Sequence, residues 1–157
     1  MADIYEISMA IDLRDDISEA EIAELRWHLG LGPQPKRLTI VRAFPVVVED
    51  DQGELVTEDD PQPLLGHQGA AWKVGGALAS VLVRRDTGWA LTARQEFHPD
   101  DCDRLGELLT WLAGKAGDHH QRHDGSGPAG VLVGWTRFYE EERPEPLMVR
   151  DGKVAWQ

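Results

Sequence analysis

The sequence predicts an α+β fold in which an antiparallel-rich sheet carries two helices on one face. Three observations predict it: two segments with apolar residues at helical spacing, several runs in which apolar and polar residues alternate, and their order along the chain. The order is β-α-β, then β-β-α-β, then a hairpin. Two split βαβ units sharing one sheet make a ferredoxin-like sandwich, so the expected fold is that sandwich plus a C-terminal β-hairpin. The 157 residues suit a single domain, which typically spans about 100–200 residues. A chain of this size buries roughly 68–70% of its unfolded surface, enough to be stable without disulfide or metal.

Residues 4–13 place Tyr5, Ile7, Met9, Ile11 and Leu13 at period two, the mark of a strand with one buried face. Ser18-Glu19-Ala20-Glu21 is a capping box: the serine hydroxyl accepts from a first-turn amide while the glutamate reaches back. Ile22, Leu25 and Leu29 follow at helical spacing, Gly30 suits a left-handed end, and Pro33 blocks continuation. Residues 38–48 are rich in β-branched side chains and read as strand, with Pro45 marking an edge, bulge or break. Residues 49–60 hold seven acids and no Lys or Arg, which predicts a solvated, mobile acidic loop with a hairpin tip at 50–53. The Gly/Pro-rich segment 61–76 reads as irregular. Residues 77–85 and 89–97 read as strands joined by the turn Asp86-Thr87-Gly88.

Pro99-Asp100-Asp101 opens a second helix whose face is Leu105, Leu108, Leu109 and Leu112, with Gly114 or Gly117 ending it. Residues 118–130 read as a polar loop and 131–139 as a strand. Asp151-Gly152 marks a closing hairpin of the type I′ kind. The two strand-helix units overlay with Leu13 on Phe97, Leu25 on Leu109 and Trp27 on Trp111, which reads as two copies of one local structure.

The net charge of −12 repels phosphate backbones and anionic membranes, so neither nucleic acid nor membrane is an expected partner. The first residues carry no signal-peptide pattern, and the uncharged apolar run 74–83 is far shorter than the roughly 20 residues of a membrane span. Cys102 is the single cysteine, which fits a reducing compartment and a cytoplasmic location.

The strongest candidate site is the sheet face turned away from the helices. If Trp89, Leu91, Ala93 and Phe97 face the helices, then Thr92, Arg94 and Glu96 face away. In the last long strand, Val131, Val133, Trp135, Arg137 and Tyr139 alternate with Leu132, Thr136 and Phe138, and the first set places Trp135, Arg137 and Tyr139 on the same open face. Glu6 and Ser8 join from the first strand, and either Ser80 and Arg84 or Val81 and Val83 from the neighbouring one. Arg94, Glu96, Trp135, Arg137 and Tyr139 are therefore the binding candidates, because aromatics and arginines recur at binding hot spots. The competing expectation is that residues 61–76 or the C-terminal hairpin cover this face and make Trp135 ordinary core.

Three weaker constellations stand beside it. His119, His120 and His123 are metal-ligand types, but no convincing fourth ligand accompanies them, and an exposed polar loop is the plainer reading. His98 could act as a base toward Cys102 at a helix start, yet Asp100, Asp101 and Asp103 oppose a reactive thiolate. Asp12 and Glu96 are paired acids that could face each other. No phosphate loop, Rossmann fingerprint, nucleophile elbow or zincin motif is present, nor the aromatic signature of an RNA-recognition strand.

These readings lead to a non-catalytic protein-interaction or small-ligand-binding module, inhibitor- or immunity-like, with a basic protein or a small molecule as partner and no cofactor. Two alternatives differ in class. One is an enzyme whose scattered pocket uses Glu96, Arg94, Arg137 and His98. The other is a structural homodimer that pairs its open faces; monomer and homodimer are both compatible with the sequence.

Overall fold

The computed structural model describes residues 3–124 and 127–156. Its elements run β1 (Tyr5–Leu13), α1 (Glu19–His28), β2 (Pro45–Glu49), β3 (Leu55–Asp59), β4 (Gly69–Ala70), β5 (Ala77–Arg85), β6 (Gly88–Phe97), α2 (Cys102–Lys115), β7 (Gln121–Asp124), β8 (Gly127–Phe138), β9 (Glu145–Arg150) and β10 (Lys153–Ala155). The main sheet has the order β10-β9-β8-β1-β6-β5-β4, with β7 paired to β8, and β2 and β3 form a separate two-stranded sheet. Every named pair is antiparallel. The protein is thus a mixed α+β fold with an antiparallel sheet and two helices. Among the described residues no helix is long and apolar enough to cross a membrane.

Alternation decides which side of the sheet is core. Ile7, Met9, Ile11 and Leu13 of β1, with Leu91, Ala93 and Phe97 of β6, are buried against Leu25 and Leu29 from the first helical segment and Leu105, Leu108, Leu109 and Leu112 of α2. Each buried leucine contributes about 1.5–3 kcal/mol of transfer free energy, so the α2 stripe alone anchors that helix. The α1 capping box forms as expected: the Glu21 amide donates to Ser18 Oγ and the Ser18 amide to Glu21 Oε1, both at 3.1 Å. At the other end Leu31 N donates to Arg26 O and Gly30 N to Trp27 O, a Schellman closure. Gly30 there has φ +71°, and a Cβ would lie 2.6 Å from Gly66 O, so glycine is required twice over.

Three expectations need correction. Residues 38–44 are not strand; the amides of Thr39, Ile40 and Val41 donate to the buried Glu24 carboxylate instead of to a neighbouring strand. Pro45 is the first residue of the short β2, a place where a missing amide costs nothing. The acidic stretch is not simply a loop, since Leu55–Asp59 pairs along β2 and Asp50 Oδ1 closes the tip by accepting from Gln52 N and Glu54 N. Residues 118–130 are likewise not one loop: a 3₁₀ turn at Asp118–His120 leads into β7, which pairs with an extended β8. α2 runs through Gly114 to Lys115. The C-terminal hairpin does form a type I′ turn, with positive φ at Asp151 (52°) and Gly152 (73°).

Candidate functional site

The register assembles the open face row by row. Glu6 of β1 lies between Glu96 of β6 and Arg137 of β8; Ser8 lies between Arg94 and Trp135. Ala10 stands beside Thr92, and Thr92 beside Val81 of β5. Asp12 stands beside Ala90, so it does not face Glu96; the acid across from Glu96 is Glu6. Of the β5 candidates, Val81 and Val83 are exposed on this side, whereas Ser80 is buried on the core side, where its hydroxyl donates to Leu65 O.

The β8 phase expected from alternation is only half right. A bulge falls between Leu132 and Gly134, and it places Val131 opposite Val149 and Gly134 opposite Leu147, two core-facing partners. Val133 is buried, not on the open face, while Trp135 and Arg137 do emerge there.

The face is covered at one end by part of the 61–76 segment and open at the other, where Trp135 is exposed rather than core. The chain from 65 to 77 wraps the end of β5. On the core side Gln95 accepts from His67 N and donates to His67 O. On the open side the adjacent Glu96 carboxylate accepts three consecutive amides, Trp72, Lys73 and Val74, at 3.0, 2.7 and 2.9 Å. Burial alone would push that carboxyl pKa up; the three amide donors and the nearby His67 outweigh it and hold it below the usual carboxylate range. Arg94 donates to Gly75 O and Ala77 O and pairs with Glu6. Arg137 donates to Val74 O, Tyr139 O and Glu141 O, and its Nε lies 3.4 Å from Glu6. Lys73 Nζ sits between the Trp72 and Tyr139 rings, 5.1 and 5.4 Å from their centroids. Four of the five candidates, Arg94, Glu96, Arg137 and Tyr139, therefore hold a strap, and Glu6 joins them as the central counter-charge.

The fifth candidate is different. Trp135 is 43% exposed and borders a cleft of about 490 Å³ that the strap leaves open. Its floor is the strand surface at Ser8, Ala10, Thr92 and Gly134, small residues, with Met9, Ala93 and Val133 reached between the strands; its walls are Trp135, Leu132, Arg94, Arg122, His119 and His120. The C-terminal hairpin does not cover it. That hairpin extends the far edge of the sheet and leans toward α2, with Trp156 beside Phe97 and Gly106.

The histidines reach the cleft because the α2 exit runs along the part of β1 that β8 has left. Arg14 N donates to Lys115 O, Gly117 N to Asp12 O, and Asp12 N to His120 Nε2 at 3.0 Å. Asp12, His119 and His120 form a group close enough to hold a metal ion. His120, however, accepts a backbone amide at Nε2, which places its proton on Nδ1 and leaves no lone pair for an ion. Burial and the neighbouring His119 lower its pKa, consistent with a neutral acceptor. Asp12 is also engaged, by Arg85 at 2.8 Å and His119 at 3.2 Å. His123 is exposed and does not join the group. These residues close a strand edge and wall the cleft.

His98 is no base for Cys102: its Nδ1 accepts from Asp100 N as the cap of the preceding 3₁₀ turn. Burial and then Asp101, Asp103 and Asp100 raise the thiol pKa. Arg122 is the cleft residue that sequence reasoning missed, because 118–130 read as loop; the available signal was the Asp124-Gly125 dipeptide, of a kind that joins hairpin strands. Comparison with family models, curated proteins and solved structures finds no match for this chain.

Proposed function

We propose that the protein is a non-catalytic small-ligand-binding module built on a ferredoxin-like sandwich. The order β8-β1-β6-β5 of the central strands, all antiparallel, supports the sandwich. The observation that carries the function is the cleft beside Trp135: an exposed indole, a floor of small side chains, and a few convergent polar groups, the usual make-up of a small-molecule site. A second gap, of about 200 Å³ between Tyr5, Phe97, Cys102 and Trp156, offers apolar surface but few groups that could orient a ligand. The acids and arginines best suited to catalysis are engaged in holding the strap, and a carboxylate that accepts three amides serves as an anchor rather than a proton shuttle.

The test is titration of isotope-labelled protein with small aromatic fragments, followed by amide and indole shifts. Shifts are expected at Ser8, Ala10, Thr92 and the Trp135 indole, and Trp135→Ala should remove them while the rest of the spectrum stays dispersed. Shifts confined to Tyr5, Cys102 and Trp156, or none at all, would overturn the reading.

A protein partner is the second reading, favoured by Val81 and Val83, each about half exposed on the same face. The acidic surface would steer a basic partner toward it.

A further inference from the structure

Resting on the cleft as the binding site, we infer that its ligand is a small organic anion with a flat apolar body. The lining supplies Arg94, Arg122, His119 and His120 and, among the described residues, no Asp or Glu. This is unexpected in a chain with 28 acids against 16 Lys and Arg, and three other surface hollows each contain acids.

The basic groups are not equivalent. Arg94 is spent on the strap and on Glu6, and His120 on the β1 backbone. Arg122 is exposed, and its Nη1 donates to His119 O and Gln121 O, which orients the guanidinium on the cleft wall. A guanidinium so oriented matches the two oxygens of a carboxylate or the face of a phosphate or sulfonate. Trp135, which lines the same cleft, offers an indole surface on which a planar ring can stack. The floor of Ser8, Ala10, Thr92 and Gly134 leaves depth for that ring and adds two hydroxyls as neutral donors. Asp12 stands behind His119 and Arg85, and Glu6 behind Arg94, so neither nearby acid is among the groups lining the cleft.

The closing experiment compares three probes of one shape: 2-naphthoate, the neutral 2-naphthamide, and the cationic 2-naphthylmethylammonium. Affinities come from calorimetry, and shift mapping gives the location. Naphthoate should bind at the Trp135 cleft about tenfold or more tighter than the amide, with the ammonium weakest, since a charge-assisted contact distinguishes them. Arg122→Gln, an exposed substitution that leaves the core alone, should erase the preference for naphthoate over the amide. Equal binding of all three at the cleft would overturn the anion inference and leave the binding site standing. Naphthoate binding that Arg122→Gln does not weaken would overturn the assignment to this guanidinium and with it the inference. Absence of binding by all three would overturn both.

Discussion

Glu24 is the residue on which the loop after α1 depends. It is fully buried, and a carboxylate in that position must have its oxygens satisfied. Thr39, Ile40 and Val41 supply amides, and His28 Nε2 approaches to 3.1 Å; because a carboxylate only accepts, that nitrogen carries the proton. Burial alone would raise the Glu24 pKa, but the bonds from His28 and the three amides prevail and lower it. A folded pKa below the unfolded value of about 4.3 contributes stability that is present above that pH and lost as pH falls through the folded value. Glu24→Gln is expected to cost about 3 kcal/mol at neutral pH, since it replaces an acceptor with a donor amid three inward amides. It should also flatten the loss of stability between neutral and acid pH. Urea midpoints at both pH values check this, and an unchanged difference would remove Glu24 from the account. Glu96 does for the strap what Glu24 does for the loop. Glu96→Gln should speed hydrogen exchange at the Trp72, Lys73 and Val74 amides by roughly tenfold, with the β1 and β6 amides unaffected, because only a local opening is released.

At the level of elements, β8 packs tightly against its neighbour in the sheet. Where it crosses β1, a Cβ on Gly134 would lie 2.4 Å from Ser8 O and 2.9 Å from Met9 Cγ. Gly134→Ala should therefore cost about 1–3 kcal/mol, measured by thermal or urea unfolding, because the backbone contact must open. The same strand shows why sequence legibility was uneven. α2 was readable because its leucine stripe is set by one helix packing on one sheet. β8 was readable in place, and in phase at Trp135 and Arg137, but not before them, because a single bulged residue reverses alternation and leaves no mark in composition. Residues 38–44 carry the β-branched content of a strand, yet their hydrogen-bond partner is a carboxylate on α1, which no local pattern announces. The candidate face was found because Arg94, Glu96, Trp135 and Arg137 do share it. Which of them are consumed by the strap depends on residues 72–77 crossing a sheet end, a tertiary event.

For the whole molecule, the acidic envelope and the cleft have opposite characters, and that opposition separates the two functional readings. A net charge of −12 sets the far field, while the cleft presents Arg122 and its neighbours at short range. Salt screens the first more than the second, because the Debye length is about 10 Å at 0.1 M and a contact pair lies well within it. An organic anion approaching this protein is repelled at long range and attracted only on arrival. Its association rate should therefore rise as salt is raised from about 20 mM to about 200 mM. A basic protein drawn to the Val81–Val83 side feels the same far field as attraction, so its association rate should fall over that interval. Stopped-flow traces of Trp135 fluorescence quenching by 2-naphthoate, taken across the salt series, supply the first measurement. A rate that falls with salt would mean that the field at the cleft mouth is already positive, and Arg122→Gln should then abolish the fall.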